Sequence, residues 1–263
     1  MSSEGTIVRC PICNETSPQG YLLCPYCGAD LTAVYQEKLF PPVTYKETFF
    51  RIKRLITQPR MIAQDIADNP DNKASFLFSV AIAFAFSLQI VAYLIHTHSL
   101  NWKVYPGVFL LSWILTLLLP ILVWLIGSWI IRTITRLLGG KATSKQIRAA
   151  VGYAFLPVTA AELLIALLFL IGLPWRTIDT VDIGTIVSQF LEMRNSFMGI
   201  FGMIIHFLGF LAAGFYMVLI VKPASNFSWI EAAISVGIPL LVFLILMITY
   251  YVGTSTIEVT PPP

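Results

Sequence analysis

Two groups of residues in this 263-residue chain have the types and spacing to do chemistry. The first is a set of four cysteines, Cys10 and Cys13 in CPIC and Cys24 and Cys27 in CPYCG. Two CxxC knuckles at this separation offer four thiolates, enough to close a tetrahedral zinc site. A site closed by four Cys has no open position, so the metal is structural and not catalytic. Gly28 supplies a tight turn after the second knuckle. The segment is too short for a core of its own, so the metal must supply its folding energy. The rival readings are two disulfides, disfavoured on a cytosolic face, and a thioredoxin-like motif, which would need a βαβ pattern.

The second group is Glu162 and His206, with Gln89, all inside apolar stretches. Glu162 is the one carboxylate within them, and an ionisable group in hydrocarbon costs at least about 2.5 kcal/mol. It must therefore face protein or water. Helical rise puts Glu162 and His206 at similar depth, so the spacing predicts that they meet directly or through Gln89 or water. The spans that carry them share 3-4 stripes of small residues, Gly152, Phe155, Thr159, Glu162 and Ala166 against Gly199, Gly202, His206, Gly209, Ala213 and Tyr216. Stripes of this kind predict that the two helices pack closely.

The elements that must hold these groups follow from composition. The chain is 57% hydrophobic and 12% charged, with a mean hydropathy of +0.77. This excludes a two-domain soluble protein. Five stretches reach membrane-spanning length: 76–95, 108–131, 151–172, 197–221 and 232–252. Residues 1–40 are polar and do not read as a signal peptide. One orientation puts fourteen of the 17 Lys and Arg on one side, so the amino terminus is expected in the cytosol and the carboxy terminus outside. The cations around Gly139, including Lys141, Lys145 and Arg148, then mark an inner loop.

In that loop Gly139 and Gly140 can end a helix, and Thr143 with Gln146 has the capping-box pattern. Tyr153 is expected at the headgroup interface. Pro157 predicts a kink that neighbouring helices must satisfy. Before the first span, Thr44 and Glu47 form a second capping box. Phe49, Ile52, Leu55 and Ile56 recur at helical spacing, with Arg51, Lys53 and Arg54 on other faces. This helix and the one in PRMIAQDIADNPD read as lying on the inner leaflet or against the inner ends of the spans. DIGTIVSQFLEMR reads as a helix on the outer leaflet. His96 and His98 are expected as solvated loop residues.

The five spans, the segment PRMIAQDIADNPD and the stretch GGKATSKQIRAAVGYAFLP together resemble the Yip domain family of Ypt/Rab-interacting membrane proteins, over about residues 45–252. The positions that match are Gly139, Gly140, Gly152, Tyr153 and Pro157. The resemblance implies a five-span domain that eukaryotic members associate with small GTPases and vesicle traffic. This chain has no DLYGP-like motif ahead of the membrane, and a zinc ribbon stands where those members have a long polar tail. Rab binding is therefore not carried over.

The expected fold class is an all-α polytopic membrane protein, a five-helix transmembrane bundle with a small N-terminal zinc ribbon. Its parts are residues 1–36 (ribbon), 37–75 (linker and interfacial helices), 76–252 (spans) and 253–263 (outer tail). No HExxH, GxSxG or Walker spacing is present, so the chain is not read as an enzyme. The expected function is a membrane adaptor or scaffold that contacts the bilayer and recruits a cytosolic protein through its ribbon. With Arg9 the one cation in residues 1–36, no nucleic-acid partner is expected. The sequence leaves homo-oligomerisation open. The alternative is a small proton- or ion-coupled transporter using Glu162 and His206.

Overall fold

The computed structural model describes residues 8–10, 12–17, 21, 23–31, 42–97, 103–173, 191–192 and 194–255. The chain divides into two units, 1–44 and 45–263.

The first unit is held by short pairings. Strand β1 (Val8–Arg9) runs antiparallel to β2 (Thr16–Ser17), and an isolated bridge joins Leu23 to Asp30.

The second unit is helical. Two short helices, α1 (Tyr45–Thr57) and α2 (Pro59–Asp68), precede five long ones. These are α3 (Lys73–Thr97), α4 (Tyr105–Leu137), α5 (Ser144–Gly172), α6 (Phe197–Ser225) and α7 (Trp229–Ser255). All five are long and apolar enough to cross a membrane. Most extend past the apolar stretches, because charged and capping residues continue a helix into the headgroup layer where hydropathy no longer marks it. Helix α7 continues to Ser255, past the end of its apolar stretch. The outer segment 182–194 lies outside the described residues except for Leu191, Glu192 and Arg194.

The helices alternate in direction, as the contacts show. Ser75 lies by Gly152 and Gln89 by Glu162, so α3 and α5 are parallel neighbours. Gly209 lies by Ala161 and Gly202 by Ile165, so α5 and α6 are antiparallel. These three helices form the packed centre. Within their most apolar windows α3 and α5 are 44% buried, whereas α4 is 11% buried. The outward faces of α4 and α7 carry large apolar side chains such as Leu115, Trp129, Leu241 and Leu246. Such faces are stable against lipid and not against water.

Close approach depends on small residues. Ser75, Ser79, Ala83 and Ser87 recur every fourth position on α3, and all are fully buried. A Cβ on Gly152 would collide with the Ser75 side chain. The stripe beginning at Gly152 was expected to face the fourth span. It divides between two neighbours: Gly152 meets Ser75 of α3, whereas Glu162 meets His206 of α6, against which Val158, Ala161, Ile165 and Phe169 also lie. Helix α4 is tied on by polar contacts: Thr116 donates to the Ala83 carbonyl at 3.2 Å, and the Trp124 indole donates to the Arg148 carbonyl at 2.8 Å.

The turn between α4 and α5 follows the sequence closely. Gly139 has φ +84°. Its N–H meets the Arg136 carbonyl at 3.0 Å, and that of Gly140 meets Thr135 at 2.9 Å. This is a Schellman closure, which needs a left-handed residue where Gly is unstrained. Gly140 lies so close to the Phe227 ring that a Cβ would overlap it, so this loop rests on the loop between α6 and α7. The capping box is complete, with Gln146 N–H to Thr143 Oγ1 and Thr143 N–H to Gln146 Oε1.

Candidate functional site

The two knuckles of the first unit have one backbone design. Cys10 N–H meets the Glu15 carbonyl at 3.0 Å, and Asn14 N–H returns to the Cys10 carbonyl at 3.0 Å. Cys24 N–H meets Ala29 at 2.8 Å, and Gly28 N–H returns to Cys24 at 2.9 Å. The residue after each second cysteine is left-handed, with φ 61° at Asn14 and 71° at Gly28. Sequence reading found Gly28 and missed Asn14, although Asn is the other residue that tolerates this region.

The four sulfurs lie within 4.8 Å of one another and can hold a metal ion. Cys10 to Cys27 and Cys13 to Cys24 are both 3.6 Å apart. Two thiolates on one tetrahedral zinc stand about 3.8 Å apart, given a Zn–S bond of about 2.3 Å. A disulfide needs about 2.05 Å, and all four cysteines are free. Backbone N–H groups of Cys13 and Ile12 pull the Cys10 thiol down to about 6. The Glu15 amide also favours the Cys13 thiolate, but desolvation and the three neighbouring sulfurs outweigh it and push Cys13 up to about 12. Four crowded sulfurs cannot all ionise alone, and a divalent cation removes that conflict.

A buried polar cluster closes one end of the second unit. Arg51 Nε pairs with Asp65 Oδ2 at 2.8 Å, and its Nη1 reaches Asp71 Oδ2 at 3.1 Å and the Asn69 carbonyl at 2.9 Å. Tyr153 Oη donates to the same Asp71 oxygen at 2.7 Å, and the Lys73 N–H reaches Asp71 Oδ1 at 2.9 Å. Burial works against the Arg51 charge, but Tyr153 and Asp65 outweigh it and the guanidinium is shifted up. Two expectations are corrected here. Arg51 lies on the buried face of α1 with Thr48 and Leu55, while Phe49 and Ile56 are exposed. Tyr153 is fully buried in protein and is not at a headgroup interface, because Asp71 offers its hydroxyl a charged acceptor. A cation in register with Thr48 and Leu55 was the available signal.

The third cluster is in the middle of the spans. Glu162 is 1% exposed. Its Oε1 contacts His206 Nδ1, and its Oε2 accepts from Gln89 Nε2 at 2.9 Å. Gln89 Nε2 also reaches the Glu162 carbonyl at 3.2 Å. Three helices thus meet at one carboxylate. The His206 ring packs on Phe210, which packs on Phe243 of α7. Further along the α3–α5 seam, His96 is buried with Nε2 3.2 Å from the Leu170 carbonyl. It was expected in a solvated loop, but α3 extends beyond its apolar run far enough to enclose it. His98 lies outside the described residues.

Of the family-matching positions, Gly139 and Gly140 shape the loop, Gly152 sets the α3–α5 approach, and Tyr153 closes the polar end cluster. Pro157 lies within a continuous α5, and its carbonyl lies against Gly209 of α6. No curated protein and no solved structure matches the chain. The family model of the Yip1 domain matches residues 53–250. That match spans most of the chain, including all five apolar helices, and the chain belongs to the Yip1 domain family of membrane proteins.

Proposed function

We propose that the chain is a non-enzymatic membrane adaptor whose ribbon, folded around one structural zinc, recruits or positions a cytosolic protein. The observation that carries this reading is the convergence of Cys10, Cys13, Cys24 and Cys27 at zinc spacing with no ligand position left open. The knuckle tips present Ile12 at 76% and Tyr26 at 66% exposure, an apolar surface for a partner. In the second unit, α1 and α2, the α4–α5 loop and the α6–α7 loop lie at the same end, by the contacts of Tyr153, Gln146 and Gly140. That end carries most of the cations, so it is assigned to the cytosol. Exposed Phe49 and Ile56 beside Lys53 and Arg54 suit α1 to the headgroup layer there. The test is affinity capture from native membranes with intact protein and with Cys24→Ser. The intact protein should carry about one zinc per chain and retain a cytosolic protein that the variant loses. Equal capture by both would remove the recruiting role.

A second reading, a small proton- or ion-coupled transporter, is favoured by the Glu162, His206 and Gln89 cluster, since ionisable groups within spans mark ion and proton pathways.

A further inference from the structure

The inference rests on the second reading and narrows it to one chemical species. Glu162, His206 and Gln89 are contributed by three different helices and meet where the bundle is otherwise apolar or lined by small residues. Along α5, Glu162 stands about 14 Å beyond Tyr153 and about 15 Å short of Gly172. It is far from both ends.

The contacts decide between a metal ion, a simple cation and a proton. Among the described residues, the four cysteines are the one group of three or more His, Cys, Asp or Glu side chains close enough to share a metal. At the buried carboxylate, Glu162 and His206 touch directly, as partners in a hydrogen bond do, with no room for an ion between them. Gln89 turns its N–H group, not its carbonyl, toward Glu162. A carboxylate accepts only, and this orientation suits it. A cation between these groups would require the amide oxygen to turn inward. The contact can gain or lose a proton and nothing larger.

We infer that Glu162, His206 and Gln89 form a proton-binding site in the apolar core, holding one proton shared between Glu162 and His206 and exchanging it with water. With one proton the pair is neutral overall, whether as carboxylate and imidazolium or as carboxylic acid and imidazole. Loss of that proton leaves a lone anion and gain of a second leaves a lone cation, so the charge of each group depends on the other. The Gln89 donor stabilises the carboxylate form. His206 is the less buried member, with its side chain 18% exposed against 1% for Glu162. Among the described residues, His206 Nε2 and Gln89 Oε1 take no part in the contacts that join the three side chains, so each can take one further partner. The other ionisable side chains on the packed helices are set apart. Tyr93 and His96 lie further along α3, with His96 at the Leu170 carbonyl. Helix α6 adds Tyr216, α7 approaches through Phe243, and Arg132 and Arg136 of α4 and the acids of α2 belong to the polar end.

The test uses the full protein in lipid nanodiscs and infrared difference spectra between acid and alkaline buffer. The expected result is a carboxyl band that changes with pH, vanishes in Glu162→Gln and is altered in His206→Phe, which keeps the carboxyl but removes its partner. Gln89→Leu keeps both groups and should shift the frequency of the carboxyl band by removing the donor to the carboxylate. It also serves if the other variants fail to fold. A spectrum that does not change with pH, or a step that survives Glu162→Gln, overturns the site. Proteoliposomes loaded with a pH-sensitive dye separate this from the transport reading. A titrating band without proton flux keeps the site and removes transport, and flux without the band overturns the site.

Discussion

Helix α5 holds two buried polar side chains, Tyr153 and Glu162, and secures them in different ways. Tyr153 joins a cluster centred on a guanidinium, shared among Asp65, Asp71 and the Asn69 carbonyl. Glu162 joins a cluster whose only possible cation is an imidazole. An arginine does not lose its charge in a protein, whereas a histidine does so near neutral pH. The end cluster is therefore a fixed tie, and the central one is the site proposed to hold a proton. One helix thus separates a structural role from a responsive one by the type of base placed opposite each group.

The sharpest way to break this contrast is Arg51→Ala. It leaves Asp71 buried without its cation and should cost about 3–5 kcal/mol, read as a fall in the melting temperature of the detergent-solubilised protein. A loss below about 1 kcal/mol would mean that the end cluster is not a fixed tie. Tyr153→Phe removes a single hydrogen bond to a charged acceptor and should cost about 1.5–3 kcal/mol by the same measurement. Glu162→Gln keeps the shape, and its partner is an imidazole that need not carry a charge, so its effect at neutral pH should be smaller than that of Arg51→Ala.

The pH dependence of stability sharpens the contrast further. Arg51 has its pKa raised on folding. Its contribution is fully present below the unfolded pKa and is lost only as pH rises through the folded value, both far above neutral. The stability lost in Arg51→Ala should thus be constant between mildly acid and mildly alkaline pH, while the smaller effect of Glu162→Gln should change across that range. Melting curves of both variants at several pH values check this, and a pH-dependent Arg51→Ala effect would contradict the assignment.

What could be read from the sequence was mostly local. The cysteine spacing, the Thr143–Gln146 box and the Gly139 turn each involve a few adjacent residues, and local geometry leaves them few alternatives. The meeting of Glu162 and His206 was also accessible, because helical rise converts residue number into depth when the layer thickness is known. What stayed hidden was which helix lies beside which. The small residues of α5 suit α3 or α6 equally, and the α3 stripe of Ser75, Ser79 and Ser87 looks polar in sequence although it serves as a close-packing face. Arg51 looked like a headgroup contact for the same reason: Asp71 is far away in the chain until the helices assemble.

The parallel arrangement of α3 and α5 constrains the order in which the molecule can be made. Helices emerge from synthesis one after another, and the partner that completes the α3 face comes two helices later. The hydrogen bond between Tyr153 and Asp71 spans 82 residues. Until α5 arrives, α3 has its serine face without its final neighbour and α4 beside it, while Asp71 and Arg51 wait near the headgroups. Docking of the two leading helices is thus a late event, and a chain stopped before Tyr153 would have inserted helices but no completed end. The centre of this bundle is assembled from its first and third long helices, with the second set aside to face the lipid.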